Sequence, residues 1–158
     1  MRIFLLLFAC VAALAVAAVL YTPTRALLVA YTLPDYPDWP AAQDTLSKDD
    51  SGEIFFATSS PYDLEVILGD VGGARLTTGL GYLSYPGNVS TDSPVPAMVI
   101  MPGSGGINPG REHEYARWFN EQGIAAFVIE YYEPRGFDRE SNYMIRTSAV
   151  TEFDLIAD

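Results

Sequence analysis

The sequence predicts an α/β domain in which antiparallel opening strands lead into a parallel βαβ unit. Three observations carry this prediction. Two short runs of continuous apolar residues, 97–101 (AMVIM) and 124–129 (IAAFVI), have the composition of strands buried on both faces. Between them lie a glycine-rich turn and a segment with helical spacing of apolar residues. Ahead of them, strand patterns follow one another without an intervening long helix, so those strands are expected to pair antiparallel.

Taken in chain order, residues 1–21 read as a signal anchor or signal peptide. Residues 3–21 (IFLLLFACVAALAVAAVLY) are nineteen apolar residues without a charge. As a helix they would span roughly 28 Å, close to the hydrocarbon thickness of a bilayer. A transmembrane helix is therefore expected, and a cleaved export signal is the alternative, with Ala15-Val16-Ala17 as its cleavage pattern. Arg2 and the amino terminus should stay inside, which leaves the domain membrane-anchored on the extracytoplasmic side, or exported. Cys10 reads as a membrane-embedded thiol, because the bulky Phe8 argues against a lipoprotein anchor. Asn88-Val89-Ser90 is a glycosylation sequon. Residues 22–52, with Pro23, Pro34, Pro37 and Pro40, are expected to form an extended linker.

The globular part spans residues 53–158. Ile54-Phe55-Phe56-Ala57 reads as a strand, and residues 64–68 as a strand or a helical turn. Gly69-Asp70-Val71-Gly72-Gly73 is a turn by its glycines. Residues 75–83 alternate apolar and polar as a half-buried strand should, and Pro86-Gly87 closes it. The strand 97–101 is bounded by Pro96 and Pro102 and runs into the loop Gly103-Ser104-Gly105-Gly106. Asn108-Pro109 then predicts the N-cap and first position of a helix. Tyr115, Trp118 and Phe119 form its expected apolar face, and Gly123 ends it as a C′ residue. The strand at 124–129 should lie parallel to the one at 97–101 through a right-handed crossover. A last helix is expected from Thr147 or Ser148, with Ala149, Val150, Phe153, Ile156 and Ala157 on one face. No stop signal precedes Asp158, and two parallel strands are a small sheet, so the domain is expected to continue further.

Composition narrows the function. The chain of 158 residues suits one domain. Twenty acidic against nine basic side chains give a net charge of −11, which repels phosphate backbones, so nucleic acid is not an expected partner. A single cysteine and a single histidine cannot make an internal disulfide or a zinc site. No metal or other cofactor is expected.

The glycine loop is the most informative feature. A strand, a glycine-rich turn and a helix start together present free backbone N–H groups that suit an anion. One class of protein with that arrangement is the dinucleotide-binding, Rossmann-like fold, with Glu130 placed 25 residues past Gly105 as its ribose-binding acid. Against it, the third glycine of G-x-G-x-x-G would fall on Asn108, and Pro102 intrudes at the strand exit. The other class uses such a loop as an oxyanion hole, with N–H groups near Ser104 and Gly105. A turn that merely permits close packing is the third reading.

Residues 96–106 (PAMVIMPGSGG) resemble the strand and loop of dienelactone-hydrolase-like members of the α/β-hydrolase superfamily. So do Arg111-Glu112, Tyr115-Ala116, Asn120, Gly123 and Pro134-Arg135-Gly136, and residues 146–154 (RTSAVTEFD) resemble the helix before that family's nucleophile-bearing strand. The resemblance covers residues 53–158. One departure is Pro102-Gly103, where the family usually has His-Gly.

The resemblance implies the N-terminal part of an α/β-hydrolase sheet, truncated before the nucleophile elbow. The implied activity is cleavage of a small-molecule ester, lactone or related acyl bond by a serine or cysteine in G-x-[SC]-x-G, followed by Asp or Glu and then His. No such elbow occurs here. By the resemblance, Ser104 and Gly105 supply oxyanion-hole N–H groups, while nucleophile, acid and base lie beyond Asp158. The 158 residues alone are then expected to be inactive, and a chain ending there would be a non-enzymatic, membrane-tethered protein.

Ser104 itself is not read as the nucleophile, since it precedes the first βαβ helix and lacks a partner base. His113 and the carboxylates of Glu112, Glu114 and Glu121 are expected on a solvated helix face. Glu130 and Glu133 fall at the C-terminal sheet edge where ligands of open α/β folds bind, and Arg135 in the same loop is a candidate contact for an acidic substrate.

Overall fold

A computed structural model describes residues 2–20, 36–47, 49–61, 64–69, 74–87 and 94–158. The sequon Asn88-Val89-Ser90, most of the glycine turn after residue 69, and residues 21–35 of the anchor and linker lie outside the described residues. The chain divides into two compact units, Met1–Leu33 and Pro34–Asp158.

In the first unit, α1 (Arg2–Leu20) is a 19-residue helix, and its described side chains, Cys10 included, are exposed. Among the described residues no helix is long and apolar enough to cross a membrane. The expected transmembrane helix is accordingly not supported.

The second unit is built on a four-stranded mixed sheet: β1 (Gly52–Ser60), β2 (Arg75–Ser84), β3 (Ala97–Ile100) and β4 (Ala125–Glu130), in the order β1-β2-β4-β3. β1 and β2 are antiparallel, from Gly52 opposite Leu83 to Ser60 opposite Arg75. β2 and β4 are also antiparallel, whereas β3 and β4 are parallel, with Ala97 opposite Ala125. The fold is thus α/β, with antiparallel opening strands and one parallel βαβ pair, as the apolar runs predict. Residues 64–68, open between strand and helical turn in the sequence, form the short helix α2 (Leu64–Leu68). The glycines of β2 make room for rings: an added Cβ at Gly79 would meet Phe56 at 2.5 Å, and one at Gly81 would run into Phe127. Those two rings meet edge to face at 5.9 Å.

Residues 36–43 lie against β1. The Gln43 N–H donates to the Phe55 carbonyl at 2.8 Å, Trp39 packs on Phe55 at 5.5 Å, and the Arg75 guanidinium lies 3.4 Å from the centre of the Tyr36 ring. Tyr36 and Trp39 bury apolar surface by staying on the domain, which a free linker would forgo.

β3 differs from expectation. Val99 is 56% exposed and Ile100 alone is buried. The strand is continuously apolar, yet it forms the sheet edge, and among the described residues no strand lies beyond it. β4 occupies an interior position instead, with Ala126 and Val128 fully buried. They form the core with Ile100 and Ala116, against which Tyr82, Ile107 and Phe119 pack.

The crossover helix α3 (Glu112–Glu121) starts later than Asn108-Pro109 predicts. Asn108 caps the turn ahead of it: its side-chain oxygen accepts from the Gly110 N–H at 3.2 Å, and its own N–H donates to Glu112 at 2.7 Å. The buried face is Glu112 and Ala116, with His113, Phe119 and Asn120 half-buried, while Tyr115 and Trp118 are exposed. Gly123 ends α3 as predicted, at φ +82. The Ile124 and Gly123 N–H groups return to the Phe119 and Asn120 carbonyls, closing a Schellman motif. The single last helix is two, α4 (Tyr143–Ala149) and α5 (Glu152–Ala157). The break falls at Val150-Thr151 because Thr151 starts a new capping box with Asp154.

Candidate functional site

The glycine loop lies just past the end of β3. The Gly106 N–H donates to the Gly103 carbonyl at 2.8 Å and closes a tight turn. Gly106 has φ +74, and a Cβ there would lie 3.0 Å from the Tyr132 ring, so both conformation and space call for glycine. The three carbonyls that follow β3 into this turn are each held from behind. The Tyr131 hydroxyl donates to the Gly103 carbonyl at 2.6 Å, the Tyr132 hydroxyl to the Ser104 carbonyl at 2.7 Å, and Arg146 Nη2 to the Gly105 carbonyl at 2.9 Å.

In a trans peptide the N–H points opposite to its carbonyl. Pinning the Gly103 and Ser104 carbonyls therefore turns the Ser104 and Gly105 N–H groups away from the tyrosines. Neither N–H meets an acceptor among the described residues. Both residues are exposed. The Ser104 side chain pairs with the Tyr143 hydroxyl at 3.0 Å, and among the described residues no histidine or carboxylate is hydrogen-bonded to it.

A cleft of about 160 Å³ opens beside the loop, lined among others by Gly105, Tyr82, His113, Glu130, Tyr132 and Arg146. His113 is half-buried there, its ring edge-on to Tyr82 at 5.2 Å, and not on the solvated face the sequence predicts. It lies beside Glu112 and one turn before Ala116, on the face that α3 turns to the sheet. Burial and the carboxylates of Glu133, Glu130 and Glu53 push the Tyr82 phenol up to about 12. Glu130 is 6% exposed, and its Oε1 accepts from the Tyr132 N–H at 2.9 Å and the Glu133 N–H at 3.4 Å. Burial raises its carboxyl above the usual range, which the Tyr132 N–H only partly offsets, and Glu133 adds to the rise. Its Oε1 is thus turned onto its own loop, while the residue lines the cleft.

Two other expectations are corrected. Arg135 is not available to an acidic substrate: it is 2% exposed, and its donors are taken inside the fold. Its guanidinium pairs with Asp158 at 2.8 and 2.9 Å and with Asp154 at 3.3 Å, and also donates to Ser60, the Ser59 carbonyl and the Tyr131 carbonyl. Asp158 also accepts from the Thr58 hydroxyl at 2.8 Å. Glu112 is buried, not solvated, because it closes the turn before α3: burial works to raise its carboxyl, but Arg111 and the Asn108 N–H hold it below the usual range. Glu114 and Glu121 are exposed as predicted and pair with Arg117 on the helix surface.

The structure brings Ser104 and Gly105 together with three residues that sequence reasoning left aside, Tyr131, Tyr132 and Arg146. The available signal was Tyr131-Tyr132 directly after a buried strand, at the edge where ligand-binding loops of α/β folds gather. Among the described residues no cluster of His, Cys, Asp and Glu is arranged to hold a metal. No protein-family model and no curated protein matches the chain.

Proposed function

We propose that residues 53–158 are the opening portion of a dienelactone-hydrolase-like α/β-hydrolase domain that cleaves a small-molecule ester, lactone or related acyl bond. The observation that carries this is the pair of N–H groups on Ser104 and Gly105 that meet no acceptor among the described residues, at the exit of a parallel strand. When a nucleophile attacks an acyl carbonyl, its oxygen takes on negative charge. Preorganised N–H donors aimed at that oxygen lower the barrier, by about 3 kcal/mol for each one. The order of antiparallel strands followed by a parallel pair also supports the reading.

By the resemblance, the serine or cysteine nucleophile, the acid and the histidine base lie beyond Asp158, and residues 1–158 alone turn nothing over. Ser104 has a tyrosine as partner and His113 leans on a ring, so neither forms a nucleophile–base pair. Reading the gene past codon 158 is the test. A G-x-[SC]-x-G within about 40 codons, followed by Asp and His, is the expected result. A stop codon directly after Asp158 overturns the hydrolase assignment, as does turnover of an activated ester by residues 1–158 well above a Ser104→Ala control.

The apolar run 3–21 supports export of the domain from the cytoplasm. Cell fractionation is expected to recover the domain outside the cytosol, at the membrane or beyond it, and recovery only from the cytosol overturns this part.

A further inference from the structure

We propose that Tyr131 and Tyr132 are positioning residues for the two candidate oxyanion donors, one tyrosine serving each N–H. This rests on the oxyanion reading of the loop for its use, but the pairing is testable without turnover.

The argument follows from how a peptide group shares electrons. Carbonyl and N–H of one peptide are a single conjugated unit, so a hydrogen bond accepted at the oxygen draws density from the nitrogen and strengthens the N–H as a donor. The Gly103 carbonyl and the Ser104 N–H belong to one such unit. The Ser104 carbonyl and the Gly105 N–H belong to the next. Tyr131 donates to the first and Tyr132 to the second, at 2.6 and 2.7 Å. Consecutive residues leaving β4 are therefore matched, in order, to consecutive peptides leaving β3.

The third carbonyl makes the contrast. Arg146 holds the Gly105 oxygen, but the N–H of that peptide is Gly106's and is already given to Gly103. Arg146 thus secures the turn, while the tyrosines act on the peptides whose N–H groups are free. Two features keep the hydroxyls in place as donors. The rings are buried and pack on each other at 4.3 Å, with the Arg146 guanidinium 4.9 Å from the centre of the Tyr132 ring. Burial also pushes both phenols up, so they stay protonated at neutral pH.

Amide-proton NMR of the full chain in detergent reads the pairing directly. Tyr131→Phe is expected to move the Ser104 amide proton upfield and leave Gly105 nearly unchanged. Tyr132→Phe should do the reverse, with the strand amides of β1 and β2 keeping their native positions in both variants. A merely structural role would spread the change over the loop. Equal movement of both amides, movement of neither, or the opposite assignment overturns the proposal. Should either variant fail to fold, the wild-type chain labelled with fluorotyrosine, a more acidic phenol that donates more strongly, is expected to move both amides downfield. Unmoved amides overturn the proposal there too. Failure of the hydrolase reading shows in the gene and the ester assay, and failure of the pairing shows in the amide map alone.

Discussion

Two polar clusters at the same end of the sheet are built in opposite ways. Around Arg135, each guanidinium nitrogen has an acceptor, from Asp158, Asp154, the Ser60 hydroxyl and two backbone carbonyls, and the group is all but sealed from water. At the glycine loop, three carbonyls are tied down by three buried side chains, which leaves two N–H groups with no acceptor among the described residues. The difference separates a filled cluster from one with donors to spare. A buried group that has met all its partners has no capacity left for a ligand, whereas a rigid frame that leaves donors unmatched at an exposed spot holds that capacity in place.

The comparison predicts a large effect first. Arg135→Ala would leave the buried carboxylates of Asp154 and Asp158 without their cation. A loss of about 3–5 kcal/mol is expected, because an unpaired buried charge costs more than the pair contributes. Urea unfolding measures it, and a loss near zero would mean that this cluster is not the supporting one. A smaller effect tests the open side, where Glu130 is buried at the cleft with backbone N–H groups as partners and its carboxyl raised. A carboxyl raised in the folded state stabilises below its unfolded pKa and loses that contribution as pH climbs through the folded value. Glu130→Gln cannot ionise, so its melting temperature should gain on the wild type as pH rises from about 4 to about 7. A difference that stays constant with pH would show that the Glu130 charge is not desolvated at all.

Much of the frame was legible because it follows from short-range patterns. The apolar runs at 97–101 and 124–129, the glycine loop between strand and helix, and Gly123 as a helix stop each depend on neighbours a few residues away. What failed depended on partners far along the chain. Val99 reads as interior by composition, but its burial is decided by whether a strand lies beyond it. Tyr115 and Trp118 read as a buried stripe, yet α3 turns Ala116 and Glu112 to the sheet, since the turn around Asn108 delays its start and needs Glu112 underneath. Arg135 offered a free cation in the sequence because Asp158 and Asp154, some twenty residues on, carry no local sign of pairing with it. At the glycine loop, the resemblance singles out Ser104 and Gly105 but gives no sign of the residues behind them, because a hydroxyl reaching a carbonyl across the sheet end has no spacing signature.

The strand order carries a consequence for how the chain assembles. β1 and β2 are neighbours in both sequence and space, so their hairpin can form as soon as both have left the ribosome. β3 comes next but has no seat beside β2, because β4 takes that place. Until β4 is synthesised and wedges between them, Met98 and Val99 belong to a strand with no hydrogen-bonded neighbour on either side. Seating β3 in this sheet thus waits on a late insertion with a long loop to close, and the interval before it is the time of greatest exposure to misassembly.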